Sequence, residues 1–190
     1  MLYFKLEFLR KFKERRLSMQ KELVHVMLKP DTLEFGLRDI VIRELQKEEC
    51  EIVASKRLIL SFSQISSIYP RFSNTRAKPV AFAYFTSRET EHLAILGSVG
   101  LHERLDVIKG QTGTGKGIRG KYYTRYTKLN SSELQEWLSG TLSNVEDIDL
   151  EMFGRDILHV ADNQADSIVG LRAILSFSQL DLILAKGFHV

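Results

Sequence analysis

Residues 23–29 read LVHVMLK and are followed at once by Pro30 and Asp31. An apolar run rich in β-branched side chains, stopped by a residue that cannot donate to a sheet ladder, reads as a buried strand ending in a turn, with Lys29 at its end. Beyond it, Leu37, Ile40, Val41 and Leu45 share one helical stripe while Arg38, Arg43, Glu44 and Lys47 are left for the wet side, so the spacing predicts a helix over 36–48. Working outward, residues 51–60 (EIVASKRLIL) read as a second strand. Residues 61–69 (SFSQISSIY) read as a short helix capped by Ser61 or Ser63, and 79–86 (PVAFAYFT) as a third strand. Leu93, Ile95 and Leu96 predict a second main helix over 89–99, closed by Gly97 or Gly100.

The stretch 101–121 holds Gly110, Gly113, Gly115, Gly117 and Gly120 and is expected to be largely loop, because glycine loses the most backbone freedom when held in regular structure. Residues 131–138 read as a short helix capped by Ser131 or Ser132, inside a polar stretch that runs to about 152. Residues 156–160 (DILHV) read as a short strand carrying His159, and a last helix is expected between Ala165 and Leu175. Two strands between the main helices favour an α+β fold: a ferredoxin-like βαββαβ antiparallel sheet covered on one side by helices. Its expected core is Val24, Val26, Leu28, Ile40, Val41, Leu45, Ile52, Val53, Val80, Phe82, Leu93, Leu96, Ile157 and Leu158.

The chain of 190 residues has the length of one domain, and 44% hydrophobic with 27% charged residues excludes a disordered, collagen-like or disulfide-stapled chain. Its lone cysteine, Cys50, can form no intrachain disulfide and no cysteine-based zinc cluster, which suits a reducing, cytoplasmic compartment. Residues 1–17 hold six basic and two acidic residues, with Leu2, Leu6, Leu9 and Phe12 on one helical face. They read as a basic amphipathic extension, either a further helix on the body or sequence ahead of an internal start at Met19, with a membrane-surface or partner role as the alternative. The remainder holds 21 basic and 22 acidic residues, so no nucleic-acid-coating surface is expected. No apolar run approaches the ~20 residues of a membrane span, and no membrane role is expected of the residues beyond 17. The domain is expected over 18–190, with an insertion at about 125–152.

Gly110-Gln111-Thr112-Gly113-Thr114-Gly115-Lys116-Gly117 matches the phosphate-cradling G-x-x-x-x-G-K pattern except at its last position, where Gly117 has no hydroxyl for magnesium. The next seven residues, IRGKYYT, make a poor helix start, so a P-loop NTPase using Lys116 is the distant reading. No H-E-x-x-H or G-x-S-x-G motif and no metal-spaced Cys/His cluster occurs, which leaves zinc and serine hydrolysis without support. His25, His92, His102 and His189 carry no accompanying pattern.

Three separated strings, read together, carry more. Lys29-Pro30-Asp31, then Gly110-Gln111-Thr112 with Ile118-Arg119-Gly120, then Ile157-Leu158-His159-Val160-Ala161-Asp162 occur in an order that resembles the nucleoside diphosphate kinases, whose usual strings are I-K-P-D, G-x-T with G-T-I-R-G-D, and N-I-I-H-x-S-D. Gly36-Leu37 and Pro79-Val80-Ala81 add to the likeness, which spans about residues 22–124 and 153–175. The resemblance implies that His159 is a nucleophile taking the terminal phosphate of a nucleoside triphosphate and passing it to a nucleoside diphosphate. Lys29, Thr112 and Arg119 would hold phosphates and Tyr69 would lie beside the histidine, with magnesium arriving on the nucleotide. Phe72 would stack on the base, Arg104 would stand in for a family arginine, and the assembly would be a homotetramer or homohexamer.

Besides the insertion and the family arginine without an exact counterpart, the chain departs from the family pattern at four points. Asp156 stands where asparagine is usual, Ala161 replaces a serine, and Gly170 falls near the glutamate that orients the histidine, leaving Asp162 or Asp166 for that role. The segment between Tyr69 and Pro79 is shorter than usual. A catalytically weak or inactive nucleotide-binding or interaction module of the same fold is therefore the alternative.

Overall fold

In a computed structural model, the described residues are 21–70, 77–111, 114–122, 136 and 157–187. They form four strands and eight helices. Strand β1 (Lys21–Leu28) leads into α1 (Pro30–Glu34) and α2 (Arg38–Gln46), and β2 (Glu51–Ile59) into α3 (Phe62–Ile68) and α4 (Ala77–Ser87). Then β3 (Glu89–Ser98) precedes α5 (Leu101–Lys109) and α6 (Gly117–Tyr122), and β4 (Leu158–Val160) precedes α7 (Gln164–Ile174) and α8 (Phe177–Gly187). The sheet order is β2-β3-β1-β4 with every pair antiparallel, the ferredoxin-like arrangement expected.

β1 is central, and its residues from Leu23 to Leu28 are buried on both faces. Val24, Val26 and Leu28 point into one cluster with Val41, Leu45, Leu93, Ile95, Leu101, Leu105 and Ile118, under α2, α5 and α6. Leu23 and Met27 point the other way, into clusters supplied by α3, α4, α7 and α8. Helices therefore cover both faces of the sheet, not one, and that is why β1 and β3 read as continuous apolar runs instead of alternating ones. At roughly 1.5–3 kcal/mol for each large apolar side chain fully buried, this two-sided packing is the main source of stability.

Two elements exchange type relative to the sequence reading. Residues 79–86 belong to α4, so Val80 and Phe82 are helical, while 89–99 is mostly β3. In β3 the residues from Thr90 to Gly97 are all buried, which hides the period of two and lets Leu93, Ile95 and Leu96 mimic a helical stripe. The glycine-rich stretch is less loop than expected, because α5 and α6 take up most of its described residues. α8 is an additional helix. Ser61 caps α3 through a reciprocal capping box with Gln64. Most of the expected core is buried; Ile40, Ile52 and Val53 are only half-buried. Residues 1–17, the 131–138 helix apart from Glu136, and the rest of the expected insertion lie outside the described residues.

One carboxylate is buried on the sheet: Glu91, 1% exposed, receives Arg38 through Nε at 2.6 Å and Nη2 at 2.7 Å, Ser55 at 2.7 Å and Arg57 at 3.0 Å. Burial alone would raise its pKa, but these donors, Arg38 foremost, outweigh it and bring the group from 4.5 down to about 2. A carboxyl with a depressed native pKa contributes stability above the unfolded value that is lost as pH falls toward the native one. Glu91→Gln should lower the unfolding free energy at pH 7 by about 2–3 kcal/mol. In urea titrations the gap to the wild type should narrow between pH 4.5 and pH 2.

α7 crosses β1 at Gly170, where a Cβ would sit 2.3 Å from Nδ1 of the buried His25. Helix propensity alone would make Gly170→Ala stabilising by about 1 kcal/mol. Overpacking against a ring that cannot retreat reverses the sign, and the variant should lose about 1–3 kcal/mol, read as a lower urea midpoint at unchanged slope.

Candidate active site

β4 is three residues long and pairs only with β1, matching Val26 with Val160, Met27 with His159 and Leu28 with Leu158. Its start is held by two donors on one oxygen: the Lys29 backbone N–H reaches Ile157 O at 2.9 Å, and the Thr32 hydroxyl donates to the same carbonyl. Ile157 has φ +63, a left-handed conformation that a β-branched residue rarely adopts and that the surrounding contacts hold in place. Strand alternation then sends Leu158 and Val160 into the first core and turns His159 to the opposite face. There the imidazole meets Tyr69, at the C-cap of α3, with ring centroids 4.9 Å apart and planes tilted by 55°. Tyr69 stacks in turn on Phe85 at 5.6 Å.

The two cations named from sequence converge on the same strand. Arg119, on α6, donates from Nε at 3.1 Å and from Nη2 at 2.9 Å to Leu158 O, the carbonyl just before His159. Lys29 is the N-cap residue of α1 and is 5% exposed. Burial holds the His159 pKa well below 6.5, and the charges of His25, Lys29, Arg119 and Lys109 push it the same way. The ring is therefore neutral at pH 7 and keeps one bare nitrogen, the form a nucleophile needs.

A cavity of about 640 Å³ opens beside the ring, lined by Ser66, Tyr69, His159, Asp162, Asp166 and Gly170, with His25 also on its wall. Neither lysine nor arginine is among the described residues that line it. The expectation that Asp162 or Asp166 orients His159 is not met. Both are exposed, and among the described residues neither carboxylate hydrogen-bonds the ring. Asp166 is instead engaged at the start of α7, where the Asn163 side chain accepts from its N–H at 3.0 Å and donates to its carboxylate at 2.8 Å. The residue that sequence reading passed over is His25. Its signal is a single polar side chain inside the otherwise apolar run LVHVML.

Arg104 is not brought to this site. Its Nη1 and Nη2 donate to Val99 O and Ser98 Oγ at 3.1 and 3.0 Å, and its Nε pairs with Glu48 at 3.2 Å. Ser98 pairs with Lys21, six residues along β1 from Met27 and His159, so roughly 20 Å of strand separates the two. Thr112, Phe72 and Asp156 lie outside the described residues. The glycine-rich turn comes after helix α5, not a strand, although a short helix does begin at Gly117, contrary to the reading of IRGKYYT. Gly110 and Gly117 are in backbone contact across it, where a Cβ on Gly110 would lie 2.3 Å from Lys116 O. Those abutting ends and the absent strand leave the phosphate-loop architecture unsupported. Among the described residues no group of three or more His, Cys, Asp or Glu could hold a metal ion, and no helix is long and apolar enough to cross a membrane.

No protein-family model matches the chain, and no curated protein matches it. Solved structures do. The nucleoside diphosphate kinase of Aquifex aeolicus superposes with a TM-score of 0.63 at 15% identity, over 84% of this chain and 98% of that one. That of Borrelia burgdorferi, in a transition-state mimic with bound vanadate and ADP, superposes with a TM-score of 0.63 at 17% identity, over 85% of this chain and 91% of that one. At such identities the likeness is one of architecture, and the fold of this chain is nucleoside diphosphate kinase-like.

Proposed function

We propose that the protein is a phosphotransferase of the nucleoside diphosphate kinase type, moving a terminal phosphate between nucleotides through His159. The observation that carries this reading is a neutral, half-buried imidazole in the middle of β4, beside Tyr69 and in the field of Lys29 and Arg119. The bare ring nitrogen attacks the terminal phosphorus of a nucleoside triphosphate, forming an N–P bond as the bond to the bridging oxygen breaks and the nucleoside diphosphate leaves. A terminal phosphate oxygen of a second diphosphate then attacks phosphohistidine and frees the ring. The transferring group spreads negative charge over its oxygens, so positioned cations are the chief demand on the protein. Lys29 and Arg119 meet that demand, and magnesium enters on the nucleotide. Thr112 and Phe72 are proposed for a phosphate and the base, and Asp156 for the nucleotide side of the site. The assembly is proposed to be a homo-oligomer, tetramer or hexamer.

The second reading, a nucleotide-binding module with little catalysis, is favoured by one feature. Among the described residues no carboxylate backs His159, and Gly170 supplies none.

Terminally labelled ATP with magnesium separates the readings. The wild type should acquire an acid-labile, base-resistant label that is absent in His159→Ala and forms at least 100-fold more slowly in Arg119→Ala and Lys29→Ala, the order of loss seen when a charge-stabilising donor is removed. Nucleotide binding without label at stoichiometric enzyme favours the module. Hydrolysis that survives His159→Ala and disappears in Lys116→Ala favours the P-loop.

A further inference from the structure

Three histidines project from one face of the sheet: His92 from β3, His25 from β1 and His159 from β4. Met27 is the direct partner of both His92 and His159, and His25 lies diagonally from each. His25 and His92 are buried and stacked, with ring centroids 5.2 Å apart and His25 Nε2 at 2.9 Å from His92 Nδ1. His92 Nε2 lies 2.9 Å from Thr90 Oγ1, and that hydroxyl donates to Leu58 O at 3.0 Å.

The proton positions along this relay can be counted. Thr90 has one hydroxyl proton; the assignment that sends it to Leu58 O makes Thr90 the acceptor from His92 and places the His92 proton on Nε2. A neutral His92 then has a bare Nδ1, and a hydrogen bond to it requires the proton of His25 to be on Nε2. Both rings are neutral at pH 7, since burial brings the His25 pKa to about 4 and keeps that of His92 well below 6.5. In that assignment His25 Nδ1 is an unprotonated acceptor. It faces Gly170, whose missing side chain leaves the room, and His25 and His159 line the same cavity.

We infer that His25, directed by His92 and Thr90, is a positioning residue for His159: through a water in the shared cavity its Nδ1 holds an N–H of the His159 ring, so that the other ring nitrogen stays bare toward Lys29 and Arg119. The rings make no direct hydrogen bond; their diagonal placement, with Cα atoms ~7–8 Å apart, leaves the contact to one bridging water in the cavity that both line. His25 itself takes no proton; it selects a tautomer. The role rests on the proposed nucleophilic function of His159, but the tautomer can be read without it.

The test uses the full chain, free of nucleotide, with histidine ring ¹⁵N shifts as the readout. Wild-type His159 should show one neutral tautomer, with one nitrogen protonated and one bare. His25→Leu removes the acceptor, and Thr90→Val removes the group that directs it while keeping the side-chain shape. In each, the His159 nitrogens should move toward averaged shifts, and labelling by ATP should slow by about tenfold or more, as when an orienting partner of a functional histidine is lost. His25→Asn keeps an oxygen near the Nδ1 position and should restore the tautomer and most of the rate. Should His25→Leu not fold, Thr90→Val decides alone. An unchanged His159 tautomer in the folded variants overturns the inference, as does a tautomer that responds to Asp162→Asn but not to His25. A wild type that never labels removes the kinase reading, and the shifts still decide the role of His25.

Discussion

Three residue pairs between β1 and β4 organise everything around His159. They join segments 130 or more positions apart in the chain, and their register decides which way the imidazole faces. A slip of one residue would send His159 into the Val24–Val26 layer and turn Leu158 toward Tyr69, because side chains alternate along a strand. So short a ladder is weak alone. Its carbonyls, however, are also the acceptors for the groups that matter: Ile157 O for the Lys29 N–H and the Thr32 hydroxyl, Leu158 O for the Arg119 fork. The same hydrogen bonds that pin the strand therefore bring two cationic residues to the histidine.

Burial and charge then act in one direction on that ring. Desolvation disfavours an imidazolium, and the nearby cations disfavour it further, so a neutral nucleophile comes at the cost of excluding a histidine cation that could itself attract phosphate. The cations compensate for that loss. On the cavity side the balance is opposite, with two exposed aspartates and no cation among the described lining residues. A ring between positive charge on one side and acceptors on the other has a preferred orientation for its single proton.

The element order was only partly legible in the chain. Where a strand or helix keeps one wet face, as in α2 or the capped α3, spacing and capping residues identify it. Where an element is apolar all round, the period is lost. PVAFAYFT packs Ala81, Phe82, Tyr84 and Phe85 inward and suits strand or helix equally, and β3 is buried along nearly its whole length. That exchange of α4 with β3 left the fold class intact, because two strands still separate the main helices.

For the site, the local strings around Lys29, Arg119 and His159 carried the chemistry, since each depends on residues adjacent in the chain. Arg104 was drawn in by its nearness in sequence and is set apart by the register of β1 with β3, which no local pattern encodes. His25 shows the reverse. One histidine in an apolar strand has no meaning until the sheet lays it beside His92 and across from His159, and until a helix brings Gly170 against its ring. Side-chain chemistry is a property of single residues, but hydrogen-bond direction and desolvation belong to neighbours, and neighbours are assigned by strand pairing and helix packing.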